Sequence, residues 1–170
     1  MFFLQGAAGT GKTHTINALR YLCESMFAAS MYSLAPTGAA SILIRGSTLH
    51  SGLCIAAMDK SPSSAATAQG LQLVHAHASA WNPTHKGPLI DHFVAKRVRI
   101  VLIDEISMVG MNMLQQVNSR FQEVATIAAI QNDNPVVHPS APFGNFIMVF
   151  GGDLTQLSPA GDISIAKAVV

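Results

Sequence analysis

The sequence predicts an α/β fold built on a mostly parallel central sheet, and three observations predict it. Short apolar runs alternate with helical stretches along the chain, at Phe2–Gln5, 31–35, Val98–Ile103 and 146–150. The later runs, such as Ile100-Val101-Leu102-Ile103, are apolar at every position, as parallel strands covered on both faces are. The first run opens directly into a glycine-rich turn followed by an amphipathic helix, the order of a strand–loop–helix unit.

The opening Met1-Phe2-Phe3-Leu4 lacks the basic segment of a signal peptide and reads as a buried strand. From 12 to about 27 the pattern is helical, with Ile16, Leu19, Leu22, Cys23 and Phe27 near one face. A second strand spans 31–35. Pro36 ends it, and Thr37 can cap a helix reaching about Arg45. Residues 60–90 are rich in Ser, Ala, Gly, Pro, Thr and His with weak periodicity, and are expected to form a long loop or insertion. Val98–Ile103 is the next strand. A helix from about 108 to 130 follows, with Leu114, Val117, Phe121 and Val124 as its buried stripe. Residues 132–144 are turn-rich and hold three prolines. The run 146–150 then leads into Gly151-Gly152-Asp153. Residues 161–170 read as an arbitrary or divergent end.

The chain has 170 residues, a length suited to one domain with a real core. Hydrophobic residues make up 49% and the formal net charge is +1, which excludes a disordered chain. Nor is there the basic excess of a tight, stand-alone nucleic-acid binder. Cys23 and Cys54 are far apart and not in a C-x-x-C pattern, so neither a disulfide framework nor a zinc site is expected. His75 and His77, and His85 and His92, lack the spacing of a metal pair and read as loop and surface residues. No run of 18 apolar residues occurs, so no membrane span is expected.

Residues 6–13 read Gly-Ala-Ala-Gly-Thr-Gly-Lys-Thr, which fits G-x-x-x-x-G-K-[ST], the phosphate-binding P-loop pattern. Each part answers a chemical need. Gly6, Gly9 and Gly11 let the backbone turn tightly and point its N–H groups at phosphate oxygens. The helix that follows presents its positive N-terminus to the same anion. Lys12 supplies a mobile charge for the β- and γ-phosphates, and Thr13 a hydroxyl for Mg²⁺. ATP contact is assigned to Gly6, Ala7, Ala8, Gly9, Thr10, Gly11, Lys12, Thr13 and His14. The flanking strand and helix make the match more specific than the pattern alone.

Leu102-Ile103-Asp104-Glu105 closes an apolar strand with two carboxylates. Asp104 falls where such a strand presents a side chain to the nucleotide crevice and can hold the Mg²⁺ bridging the phosphates. Glu105 can orient or deprotonate the attacking water. In isolation an acidic pair is more often a solvated strand end; the upstream P-loop reverses that preference. After the run 146–150, Gln156 is the candidate γ-phosphate sensor, since its amide both donates and accepts hydrogen bonds. Asp153 can cap the following turn or support the metal shell.

Together these blocks resemble the Pif-one-like family of superfamily-one DNA helicases. The stretches carrying the resemblance are GAAGTGKT at 6–13, APTGAAS at 35–41, GSTLHS at 46–51, LIDEISM at 102–108 and FGGDLTQLSP at 150–159. They span nearly the whole chain, with 60–90 matching poorly and 131–145 loosely. The resemblance implies a RecA-like three-layer sandwich over residues 1–170, ATP hydrolysis, and 5′-to-3′ translocation on single-stranded DNA. It gives Lys12, Glu105 and Gln156 catalytic roles, and Thr13 and Asp104 the metal. It places Pro36, Thr37, Gly38, Thr48 and His50 along the DNA path. Thr37, Gly38 and Thr48 can offer donors to a DNA phosphate, and His50 can stack on a base. From spacing alone, Thr37 would be only an N-cap and His50 only a surface residue.

The resemblance further implies a second RecA-like domain, absent from these residues, with an arginine that stabilises the transferring phosphate. The 170 residues alone are therefore expected to bind nucleotide, to hydrolyse it slowly at best, and not to unwind a duplex. Genome maintenance, including repair, recombination and telomere work, and a nuclear or mitochondrial location follow from the resemblance alone. Two rival readings are a P-loop kinase or nucleotide switch, and an inactive helicase fragment that only binds ATP. The first usually carries a basic lid, and no arginine-rich stretch fits one.

Overall fold

The computed structural model describes residues 1–26, 30–55, 93, 98–132, 138 and 140–168. Among the described residues, five strands form the sheet: β1 (Phe2–Gln5), β2 (Ser30–Ala35), β3 (Ser47–Thr48), β4 (Val98–Ile103) and β5 (Ile147–Gly152). The helices are α1 (Lys12–Met26), α2 (Gly38–Leu43), α3 (Leu49–Gly52), α4 (Met111–Asn132) and α5 (Ile165–Ala168). A 3₁₀ turn, Ile106–Met108, precedes α4, and a tight turn at Pro142–Asn145, left-handed at Phe143 (φ 50°) and Gly144 (φ 61°), precedes β5.

Strand order is β1-β5-β4-β2-β3 and every pairing is parallel, as the apolar runs predict. Parallel strands all point one way, so their carboxyl ends share one edge of the sheet. The register sets those ends level: Gln5 pairs with Gly152, Phe150 with Ile103, Ile103 with Leu34, and Ala35 with Thr48. The last strand in sequence, β5, lies between β1 and β4, and so between the two motifs it must serve.

The two-residue period of each strand divides its side chains between two cores. Leu34, Val101, Ile103, Met148 and Phe150 face a large cluster completed by Val117, Phe121 and Val124 of α4 and by Leu49 of α3. Met31, Ala35, Leu102 and Val149 face a smaller cluster with Ile16 of α1 and Ile44 just beyond α2. Helices thus cover both faces, which makes three layers. Phe93, Phe121 and Phe146 meet within the larger core at centroid distances of 5.4–5.8 Å, and Tyr32 stands edge-on to Phe93 at 4.8 Å. Across the other face, the Arg20 guanidinium donates to Ser33 Oγ and to the Ile44 carbonyl, tying α1 to β2 and to the end of α2.

Several expectations are corrected. β1 is not buried: it is an edge strand, and Phe2 and Phe3 are 66% and 44% exposed. Leu22 points outward from α1 at 45% exposure, leaving Ile16 and Cys23 as its buried residues. α2 stops at Leu43 because the chain turns left-handed at Arg45 (φ 49°). The Ile106–Met108 turn delays the start of α4 to Met111, and Phe146 precedes its strand. Separately from these, Ile163 is tied to the start of α4, with Met111 N–H donating to its carbonyl at 3.0 Å. The 60–90 loop, Phe27, and the histidines at 75, 77, 85 and 92 lie outside the described residues.

Candidate functional site

Past Gln5 the chain is still held by β5, for Gly6 N–H donates to the Gly152 carbonyl at 3.4 Å. It then turns back through Gly9 (φ 77°) and Gly11 (φ 88°), backbone angles that favour glycine. Gly6 is needed for space, because a Cβ there would stand 2.6 Å from Thr10 Oγ1. Thr10 closes the loop on itself, its hydroxyl donating to the Ala7 carbonyl at 2.8 Å. Lys12 folds over the loop, and its ammonium donates to the Gly6 and Ala7 carbonyls at 2.6 and 3.0 Å. Thr13 and the exposed His14 lie in the first turn of α1.

Asp104 continues the ladder beyond β4, with its N–H donating to the Leu34 carbonyl at 2.9 Å. Its carboxylate is buried, and Oδ1 accepts from Glu105 N–H at 2.9 Å. Glu105 is left-handed (φ 52°, ψ 45°), a costly conformation for a residue with a Cβ. Such outliers cost roughly 1–3 kcal/mol and cluster at functional sites. Gly151 gives Asp104 its room, since a Cβ there would lie 2.6 Å from Oδ1. Gly152 (φ 152°) lets β5 pass the following turn, where a Cβ would meet Ile106 N at 3.0 Å.

Beyond β5, Asp153 caps its own turn: Oδ1 accepts from Thr155 Oγ at 2.6 Å and from Thr155 N–H at 3.0 Å. The hydroxyl bond, then the amide bond, hold the Asp153 carboxyl below the usual range. Burial opposes them, while the Lys12 charge and the Gln156 amide lower it further. Lys12, Asp153 and Gln156 therefore share one neighbourhood, with Gln156 exposed to solvent. The P-loop, Asp104 with Glu105, and the Gln156 loop converge at the ends of β1, β4 and β5.

Pro36, Thr37, Gly38, Thr48 and His50 occupy the other end of the same edge, at and just past the ends of β2 and β3. Thr37 and Thr48 both cap helices, accepting from Ala40 N–H at 3.3 Å and Ser51 N–H at 3.2 Å. Each hydroxyl keeps its proton for a further acceptor. Sheet order sets this group apart from the P-loop residues. Sequence reasoning missed Gly151, Gly152 and Asp162; the paired glycines closing an apolar strand were the available signal for the first two.

A parallel sheet whose first strand feeds a P-loop, faced by a buried carboxylate on a strand that is not its neighbour, defines a P-loop NTPase of the RecA-like kind. The sequence profile of the PIF1-like helicases matches residues 1–167, and the chain belongs to that family. The ATP-dependent DNA helicase Pif1 of Psychrobacter sp. (strain PRwf-1) is 31% identical over 160 residues, covering 94% of this chain but 20% of that protein. Bacteroides Pif1 bound to ssDNA superposes with a TM-score of 0.64 at 28% identity, over 94% of this chain and 30% of the other. Bacteroides sp. Pif1 in complex with ADP-AlF4 gives 0.59 at 28% identity, over 94% and 29%. The chain thus spans about a fifth to a third of the length of these relatives.

Proposed function

We propose that these residues form the ATP-hydrolysing motor half of a 5′-to-3′ DNA helicase that acts on single-stranded DNA. The observation that carries the reading is the convergence of the P-loop, the buried Asp104 with Glu105, and the Gln156 loop on one sheet edge. The candidate DNA residues lie along that same edge.

In this reading residues 6–14 wrap the phosphates of ATP. Lys12 exchanges its two carbonyl partners for phosphate oxygens, which as charged acceptors form stronger bonds. Mg²⁺ would be held by Thr13 and Asp104. Two protein oxygens suit an ion that keeps several waters and phosphate oxygens in its shell, and the buried Asp104 Oδ1 is a fitting hard donor. When bound, the ion neutralises charge on the phosphates. Glu105 holds the attacking water and takes its proton, its left-handed backbone fixing where the carboxylate can reach. Gln156 reads the γ-phosphate.

Thr37, Gly38 and Thr48 hold the DNA backbone at helix starts, Pro36 shapes the entry to α2, and His50 stacks on a base. A second RecA-like domain outside these residues supplies the stabilising arginine. Genome maintenance, with DNA repair, recombination and telomere work in the nucleus or mitochondrion, belongs to the same reading. Among the described residues, no helix is long and apolar enough to cross a membrane.

The test is ATP turnover by the chain with and without a single-stranded oligonucleotide, beside Lys12→Ala and Glu105→Gln. Slow turnover, raised by the oligonucleotide and lost in both variants, is expected, with no duplex unwinding. Turnover indifferent to DNA but requiring a small phosphoryl acceptor would replace the helicase reading with a kinase. Binding that Glu105→Gln leaves intact, with no turnover in the parent, would leave an ATP-binding module.

A further inference from the structure

We propose that Asp162 is a positioning residue that straps the Gln156 loop to the turn carrying Asp104 and Glu105. The inference rests on the function proposed above and names a residue which that reading does not use. The Asp162 carboxylate is fully engaged. Oδ2 accepts from the backbone N–H groups of Asn112 and Met113 at 3.0 and 3.4 Å. Oδ1 accepts from Asn112 Nδ2 at 3.0 Å and from Ile163 N–H at 2.7 Å. The three from Asn112 and Met113 are charge-assisted bonds to the first turn of α4, where a negative charge also meets the positive end of the helix. Two backbone links reinforce them: Met111 N–H donates to the Ile163 carbonyl, and Gly110 bridges Ser164 in antiparallel fashion. Gly110 has to be glycine, because a Cβ there would fall on the Asp162 carboxylate.

What Asp162 grips follows the candidate water-activating residue by one short turn. Met108 N–H donates to the Glu105 carbonyl and Val109 N–H to the Ile106 carbonyl, both at 3.0 Å, and Leu114 N–H donates to the Gly110 carbonyl at 2.9 Å. Hydrogen-bonded turns on either side of the Val109–Gly110 link thus join Glu105 to α4. On the other side, the loop leaves β5 at Asp153 and carries Gln156. From Thr155 to Gly161 no residue is buried, and Leu157 is 72% exposed. That stretch has almost no apolar anchoring of its own, so polar ties at its ends, Asp153 and Asp162, set its position. With Asp162 in place, Gln156 and Glu105 are held as two arms of one frame and can address the same phosphate.

The test uses the full chain with Asp162→Ala, Asp162→Asn, Gln156→Ala and the Asp162→Ala/Gln156→Ala double variant. Hydrogen exchange is read at the Thr155 and Gln156 amides, and fluorescent ATP and ADP analogues give the preference for ATP over ADP. Loss of the cap is expected to speed exchange at those amides about 3- to 30-fold, with α1 unchanged. The ATP-over-ADP preference is expected to fall about tenfold, ADP affinity to hold, and the double variant to fall no further than Gln156→Ala. Asp162→Asn, with a single acceptor oxygen, should lie between. Unchanged exchange overturns the strap. Faster exchange with an intact ATP preference overturns its role in sensing, as does an equal loss of ATP and ADP affinity, which would mark a merely structural tie. A parent chain that binds neither nucleotide refutes the proposed function instead, and the exchange data then decide the strap alone.

Discussion

Replacing Gly151 by alanine places one methyl group against the proposed metal ligand. The new Cβ would stand 2.6 Å from Asp104 Oδ1, whereas ordinary contact begins at 3.4 Å. The carboxylate must therefore retreat by about 0.8 Å. It has little freedom to do so, being buried and bonded to Glu105 N–H at 2.9 Å, while the Asp104 backbone is paired with β2. Overpacking of this kind costs about 1–3 kcal/mol. At about 2–4 °C per kcal/mol for a domain of this size, Tm should fall by about 2–12 °C. The functional loss should be larger. Mg²⁺ requires near-ideal geometry at about 2.0–2.1 Å, and misplacing a reacting group by about 1 Å can cost about 100-fold in rate. Gly151→Ala should thus fold, bind nucleotide in EDTA as the parent does, and lose most of the extra affinity that Mg²⁺ confers. The assay is titration with a fluorescent ATP analogue in Mg²⁺ and in EDTA, beside a melting curve. A folded Gly151→Ala with the parent's full Mg²⁺ dependence would refute the assignment of the metal to Asp104.

Further predictions follow from the caps and the titrating groups. Thr37→Ala removes the acceptor for Ala40 N–H and should cost about 1 kcal/mol, which Thr37→Ser should largely restore in a melting assay. Burial, and then negative charge at Cys54, push the Tyr32 hydroxyl up to about 12 from 10.0. A raised folded value favours folding below the unfolded one, so stability should hold to about pH 10 and decline towards about 12. Tyr32→Phe should abolish that alkaline loss, at the expense of about 1–3 kcal/mol for the abandoned Gly52 carbonyl. Asp153 has the opposite sign. Its lowered carboxyl favours folding above the ordinary aspartate range, and that contribution is lost as pH falls through its own lower value. Thr155→Val removes the largest cause and should raise the Asp153 titration point, as NMR would show.

The framework of this fold is legible wherever one signal suffices. Continuous apolar runs mark most of β4 and of β5, and the 3.6-residue stripe of Val117, Phe121 and Val124 marks α4. The P-loop is legible because its glycines and lysine have one chemical reason to occur together. Thr37 is legible as a cap from the proline before it. β1 misled because Phe2 and Phe3 read as core, yet burial depends on which strands flank them, and sheet order is a non-local property. Leu22 misled for a related reason: it lies beside the apolar stripe of α1, not on it. The turns Ile106–Met108 and Pro142–Asn145 are too short to leave a period. Asp162 is the clearest case of what a linear reading misses, since its partners lie 49 and 50 residues away and only the packed chain brings them together.

The proposed nucleotide site runs from Gly6 to Thr13 and includes Asp104. The most direct measurement is titration of the chain with a fluorescent ATP analogue, with and without Mg²⁺, beside Lys12→Ala. Loss of a charged hydrogen bond to phosphate, worth about 1.5–3 kcal/mol, should weaken binding about 10- to 100-fold. Saturable, Mg²⁺-dependent binding in the parent and this loss in the variant are expected. Equal binding by parent and variant, or no binding by a folded parent, would contradict the proposed site.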